Sequence, residues 1–286
     1  MLRELRDLGF EHAELSHGIR ISLLPGIIEA VEAGEMRIST LHNFCPLPVG
    51  INGAAPNLFQ YTAAERRERD NAFRYSVRTL ETAARLGARL VVLHLGSIHM
   101  RHYTDKLVQL IDRGERDSRK YNKLCAEVIE TRERKKAQYV ERCNEMLVRV
   151  AEEAAKLGVQ LGLENREGLE EIPLESDFPA LLAKFPAATV GYWHDTGHAQ
   201  IKENLGFLQH ARQLEAMSGR LLGLHVHDVL FPAWDHRAPG HGTIDFAALK
   251  PWVKPEHIKV FEIHPAVPVE ELRQGVALVK ELWGDE

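Results

Sequence analysis

The chain has 286 residues, 44% of them hydrophobic, and a formal net charge of -5: enough apolar content for a substantial core, without the overall basic footprint of a non-specific nucleic-acid binder. Its three cysteines, Cys45, Cys125 and Cys143, are odd in number and lack C-x-x-C spacing, which argues against a disulfide framework and a thiolate zinc site and fits a reducing cytoplasm. MLRELRDLGF has no signal-peptide core and LVVLHLG is too short to span a bilayer, so no membrane role is expected.

Along the chain, RDLGFEHAELS (6–16), ARLGARLVVLHLG (84–96) and AKLGVQLGLENR (155–166) share one plan: a helix end, a Leu-Gly pair, then a strand. Glycine just past a helix end takes the left-handed conformation that turns the chain, and the apolar run after it reads as a strand buried on both faces. Strands at RISTLHN (37–43), TVGYWHD (189–195), LLGLHVHD (221–228) and IKVFEIHP (258–265) bring the visible number to seven. Thr62 and Glu65 have capping-box spacing ahead of a helix to about Leu86, and Ser176 or Asp177 can cap FPALLAKF. From about 119 to 157 apolar residues recur with helical period over one long or two consecutive helices, and the mixed-sign cluster RERKKAQYVER reads as a solvated face. No linker divides the chain, so 1–286 reads as a single domain. The plan predicts an α/β fold, a (β/α)₈ TIM-type barrel whose first strand is missing, because the first element is a helix at 2–8.

The last residues of six consecutive strands are His42, His94, Glu164, Asp195, His225 and Glu262, with His198 and His236 in the turns that follow. Barrel enzymes work on the face where strands end, and these groups are all metal-competent. Imidazole nitrogen and carboxylate oxygen without thiolate suit Zn²⁺, Mn²⁺ or Co²⁺ better than Ca²⁺ or Mg²⁺. Buried carboxylates such as Glu164 and Glu262 are costly without a cation or partner. His227 and His264, two residues beyond His225 and Glu262, point to the same side by strand alternation and are open to a substrate or a structural role. His12, His210 and His257 read as surface or helix residues and Trp193 as core. The segment HMRHYTDKLVQL (99–110) reads as a lid or a plain loop-to-helix connection, with Arg101 or His102 facing an anion. PGHG (239–242) reads as a tight turn before Asp245 caps the next helix.

LGLENR, HDTGH, HVHD followed by DHRAPGHGTID, and VFEI together resemble the xylose-isomerase-like TIM barrels over about residues 3–280. That superfamily holds sugar isomerases and epimerases and also the endonuclease IV type of abasic-site nuclease. The resemblance implies one divalent metal, Mn, Zn or Co, held by Glu164, Asp195, His225 and Glu262. It implies Glu164 and Glu262 as catalytic residues, one removing a proton beside a carbonyl and the other returning it through a metal-stabilised enediolate. His198 resembles a substrate-oxygen contact, and His42, His94, His236 and Trp234 are further substrate-binding candidates. The nuclease branch implies a second or third metal at His42/His94 and His198/Asp235/His236, although here Asp235 is adjacent to His236 instead of two before it. The expected protein is an isomerase or epimerase of a small carbohydrate, cytoplasmic, with a homodimer allowed and neither nucleic acid nor membrane as partner. A dehydratase or lyase, a metal-dependent phosphoesterase, and a non-enzymatic sugar- or metal-binding barrel are the alternatives.

Overall fold

The computed structural model describes residues 1–284. Helix α1 (Leu2–Asp7), strand β1 (His12–Leu15), α2 (Leu24–Glu32) and β2 (Arg37–His42) are followed by α3 (Arg66–Leu86), β3 (Leu90–Leu93), α4 (Tyr103–Asp112), α5 (Arg119–Lys135), α6 (Ala137–Leu157) and β4 (Gln160–Glu164). Then come α7 (Phe178–Leu182), β5 (Val190–Asp195), α8 (Thr196–Asn204), α9 (His210–Met217), β6 (Leu221–Val226), β7 (Asp228–Leu230), β8 (Trp234–Arg237), α10 (Phe246–Leu249), β9 (Ile258–Phe261) and α11 (Val269–Trp283). Every strand read from the sequence is present, and a helix is again the first element. The segment 119–157 is two helices meeting at Lys136. The Leu-Gly pairs act as expected: Gly87 caps α3 with φ 70°, a conformation that costs any side chain more than glycine.

The chain forms two compact units. The first (residues 1–96, 139–164 and 179–191) contains β1 to β4, parallel and paired in that order, with Leu90 opposite Gln160. Leu90 to Leu93, Leu161 and Leu163 are buried, as an apolar parallel strand requires. Helix α6 buries Cys143, Met146, Leu147, Val150 and Ala154, one face of a 3.6-residue period. Thr62 does not cap α3, which starts after Glu65 without a side-chain cap. Its hydroxyl instead donates to Gln60 at 3.2 Å and lies where a Cβ on Gly96 would come within 2.4 Å.

The second unit (97–138, 165–178 and 192–286) contains the end of β5, β6 and β9, all parallel, with Asp195 opposite His225 and Val226 opposite Phe261. β7 and β8 form an antiparallel ribbon, which the sequence reading took as a strand end and a turn. Asp245 caps α10 as expected, accepting the Ala248 N–H at 3.0 Å. Asp177 does not cap α7; its carboxylate accepts the Leu174 N–H and pairs with Arg132 and Lys136. Arg132 departs from the solvated face expected of its charge cluster: it is fully buried and donates to the Leu169 and Glu171 carbonyls, because a buried guanidinium must spend its donors.

His210 and His257 are also buried, against expectation. His257 Nδ1 accepts the Lys254 N–H. His210 belongs to a line of hydrogen bonds starting at β5: Tyr192 Oη to His194 Nδ1 at 2.8 Å, His194 Nε2 to His210 Nε2 at 2.9 Å, and His210 Nδ1 to Gln200 Oε1 at 3.1 Å. Gln200 Nε2 then donates to Asn204 Oδ1 at 3.0 Å, and Asn204 Nδ2 to the Pro232 carbonyl at 2.9 Å. Among the described residues no helix is long and apolar enough to cross a membrane.

Candidate metal and substrate site

The register of β5 on β6 and of β6 on β9 delivers Asp195, His225 and Glu262 to one end of the second unit. His225 Nδ1 lies 3.1 Å from Glu262 Oε2 and 3.7 Å from Asp195 Oδ2. Two ligand atoms about 2.1 Å from a tetrahedral zinc stand roughly 3.4 Å apart, so these spacings accommodate a divalent ion. Asp195 and His225 are wholly buried, whereas the Glu262 side chain keeps 28% of its exposure, making it the member of the group that a solute can reach. Burial by itself would raise the Asp195 pKa, but the rings of His198 and His227 and the hydrogen bonds from His225 and His227 outweigh it and hold the carboxyl well below its usual range.

Asp195 is fixed from several sides. Its Oδ1 accepts the His198 N–H at 2.7 Å, capping α8. The Asn165 side chain clamps its backbone, donating to the Asp195 carbonyl at 3.0 Å and accepting its N–H at 2.7 Å. His227 Nε2 lies 3.0 and 3.1 Å from its two oxygens. Against burial, the carboxylates of Asp195, Glu262 and Asp235 draw the His227 pKa up to about 9. Its Nδ1, however, accepts the His236 backbone N–H at 2.9 Å, so a second proton has no place while that bond lasts. We therefore read His227 as a neutral Nε2–H donor that orients Asp195, not as a ligand. Its ring packs where only glycine fits, since a Cβ on Gly197 would stand 2.0 Å from His227 Cε1. The spacing D-T-G-H thus combines a cap, room for His227 and an imidazole in the first turn of α8.

His198 and His236 each place Nδ1 against a backbone carbonyl, a pattern common among metal ligands. His198 Nδ1 lies 2.9 Å from the Asn165 carbonyl and 3.4 Å from Arg166 Nη1, and the ring groups with Glu167 and Asp235. His236 Nδ1 donates to the Glu262 carbonyl at 3.0 Å. The expected set His198/Asp235/His236 is therefore divided: Asp235 joins His198, while His236 stacks on His227 at 4.3 Å and groups with Glu262. Adjacent residues on strand β8 point to opposite sides, which is why neighbours in sequence part here.

In the first unit His42, His94 and Glu164 form a further buried group. His42 Nδ1 lies 3.1 Å from the Asn43 carbonyl, which assigns its proton to Nδ1, and His94 Nδ1 lies 3.3 Å from the Asn57 side-chain amide. Both Nε2 atoms face the same carboxylate oxygen, Glu164 Oε2, at 3.2 and 2.7 Å.

Trp193 is core, as expected, and Trp234 is 62% exposed. His264 is exposed and its Nδ1 accepts the Ala266 N–H, a turn role. The segment 99–110 is a loop running into α4, tied down by Glu170, which accepts from Thr104 N at 3.0 Å and Thr104 Oγ1 at 2.8 Å. In PGHG the N–H groups of Gly240 and Gly242 each lie 2.9 Å from Asp228 Oδ2, so the turn already cradles an anion of its own chain. The sequence reading missed Asn165, Glu167 and Gly197. All three sit inside motifs it singled out, LENR with the glutamate that follows it, and HDTGH.

The chain superposes on several solved enzymes. A 3-keto-D-glucoside 4-epimerase from E. coli is 16% identical, covering 98% of this chain and 92% of its own with a TM-score of 0.65. A D-psicose 3-epimerase crystallised in the presence of D-fructose is 15% identical, covering 99% and 93%, with a TM-score of 0.69. A Thermus thermophilus protein soaked with zinc chloride, similar in fold, is 20% identical, covering 100% and 93%, with a TM-score of 0.62. No curated protein sequence matches the chain significantly. The model of one family, described as xylose isomerase-like TIM barrel, matches residues 2–282, and the chain belongs to that family.

Proposed function

We propose that the protein is a divalent-metal-dependent isomerase or epimerase of a small carbohydrate. The observation that carries this reading is the buried Asp195–His225 pair facing a Glu262 that is open to solutes, a nitrogen and oxygen donor set suited to Zn²⁺, Mn²⁺ or Co²⁺. Glu164 is proposed as the fourth ligand on the family pattern; it directly precedes Asn165, the residue that clamps Asp195. A divalent ion bound there would polarise a substrate carbonyl and make the adjacent C–H acidic. In the reaction we assign to this chain, Glu262 and Glu164 exchange that proton, one removing and one returning it through an enediolate. His198 contacts a substrate hydroxyl, His42, His94 and His236 supply further polar contacts, and the exposed indole of Trp234 is a stacking wall. Residues 1–286 are read as one domain because a single family model runs across 2–282.

Solvent-deuterium uptake into a panel of ketoses tests the reading. Carbon-bound deuterium should appear with the metal-loaded protein, vanish on chelation and return with Mn²⁺, Co²⁺ or Zn²⁺. Undiminished uptake after exhaustive metal removal would sink it. The His42–His94–Glu164 group favours a second reading, a metal-dependent phosphoesterase using more than one ion. Three metals per chain together with cleavage of an abasic duplex would replace the carbohydrate reading.

A further inference from the structure

Helices α4 and α5, with the loop before α4, line a half-open pocket of about 310 Å³ whose charge is opposite to that of the chain. Arg101, Lys106, Arg113, Lys120 and Lys123 line it, and its one carboxylate, Glu127, is engaged by the Tyr103 hydroxyl at 2.9 Å and by Arg101 at 3.8 Å. Among the described residues, Lys106, Arg113, Lys120 and Lys123 have no carboxylate within ion-pair distance, unlike Lys136, Lys156 and Lys202. The acidic residues of the connecting loop, Glu115 and Asp117, do not line the pocket.

The start of α5 supplies a second argument. A helix N-terminus carries partial positive charge and favours acidic side chains. α5 instead opens with Arg119, Lys120 and, one turn on, Lys123, with no acidic residue in its first turn. Ser118 caps this end, its hydroxyl accepting the Tyr121 N–H at 3.0 Å, so the backbone is served while Lys120 and Lys123 keep no carboxylate partner among the described residues. An anion in the pocket would meet the ammonium groups of Lys120 and Lys123, which line it.

We infer that the α4–α5 pocket is a binding site for a small organic phosphate carrying at least two negative charges, separate from the carbohydrate reaction proposed above. Arg101 and Arg113 offer planar forks that match phosphate oxygens, Lys120 and Lys123 add point charges, and Leu110 and Leu124 give an apolar floor for the organic part. A bounded pocket of this volume suits a metabolite. A nucleic-acid strand would need a basic track extending well past the pocket, and the chain as a whole carries a net charge of -5.

The test is calorimetric titration of the full-length protein with pyrophosphate and with ADP. One site per chain is expected, with Kd below about 1 mM at low salt. K120A/K123A, two changes at exposed helix positions, should weaken binding about tenfold or more while leaving the melting temperature and the metal content unchanged. K184A, at an exposed lysine that does not line the pocket, should bind normally. Absence of saturable binding, or equal binding by K120A/K123A, overturns the inference, the latter outcome marking a metal-centred site. Tighter binding of a single-stranded oligonucleotide with a steep salt slope overturns it in favour of nucleic acid.

Discussion

Two sets of histidines flank β5, and they differ in how their hydrogen bonds are spent. On one side His194 and His210 are wholly buried, and burial foremost pushes both below the ordinary imidazole range, His210 to about 3. Their partners are Tyr192, Gln200 and each other, so every ring nitrogen is satisfied by a neutral group and the set is closed. On the other side, starting at the next residue, Asp195 gathers His198, His225 and His227 around an anion. There the Nδ1 of His198 lies against a backbone carbonyl and the ring groups with Glu167 and Asp235. Burial does not separate the two sets, since members of both are inaccessible. The chemistry of the partners does: in one set the ring nitrogens meet neutral groups of the chain, and in the other the rings gather around a carboxylate.

Substitutions should break the two sides differently. E262Q removes a proposed proton-transfer group that solutes can reach, and turnover is expected to fall about 10²- to 10⁴-fold with the melting temperature near normal. If E262Q retained wild-type kcat, the open set would not be the reaction centre. G197A drives a methyl group into the His227 ring, disturbing the residue that orients Asp195. A loss of about 10- to 100-fold in metal affinity or activity is expected, read by metal titration, and unchanged affinity would remove the positioning role of His227. H210A should do the reverse, lowering stability by about 1–3 kcal/mol by orphaning His194 and Gln200 while kcat is retained.

The same contrast has a pH signature. The folded pKa of His210 lies below its unfolded value, so the unfolded chain binds more protons between those limits. The stability His210 contributes is thus whole above about 6.5 and is lost as pH falls toward about 3. Denaturant midpoints measured across that window should decline with acidity, and more shallowly in H210L; equal slopes would mean that the ring is not buried neutral. The smallest effect is expected at Trp234, where W234A should raise KM less than about tenfold with kcat kept, and no change in KM would leave that indole without a substrate role.

Much of this was legible in the sequence because it rests on local rules. Leu-Gly pairs after helices announced strands, and strand ends announced Asp195, His225 and Glu262, since period and capping operate within a few residues. What escaped depended on distant partners. His210 lies in a helix among polar neighbours and is buried only because His194, 16 residues away in sequence, needs an acceptor. Gly197 is indispensable only once His227 is placed against it. Arg132 hid in a charge run because its acceptors lie some forty residues on. Asp235 and His236 were grouped as neighbours until the ribbon assigned them to opposite sides.

The line from Tyr192 to Pro232 ends on a carbonyl, and a carbonyl can only accept. Asn204 must therefore present its amide nitrogen there and its oxygen to Gln200, which in turn must offer its oxygen to His210. The proton of His210 is then fixed on Nδ1, that of His194 on Nε2, and the Tyr192 hydroxyl must point at His194. Two amide orientations, two ring tautomers and one hydroxyl rotor amount to five two-way choices. One acceptor on a distant loop reduces them to a single message, read at the strand position immediately before Asp195.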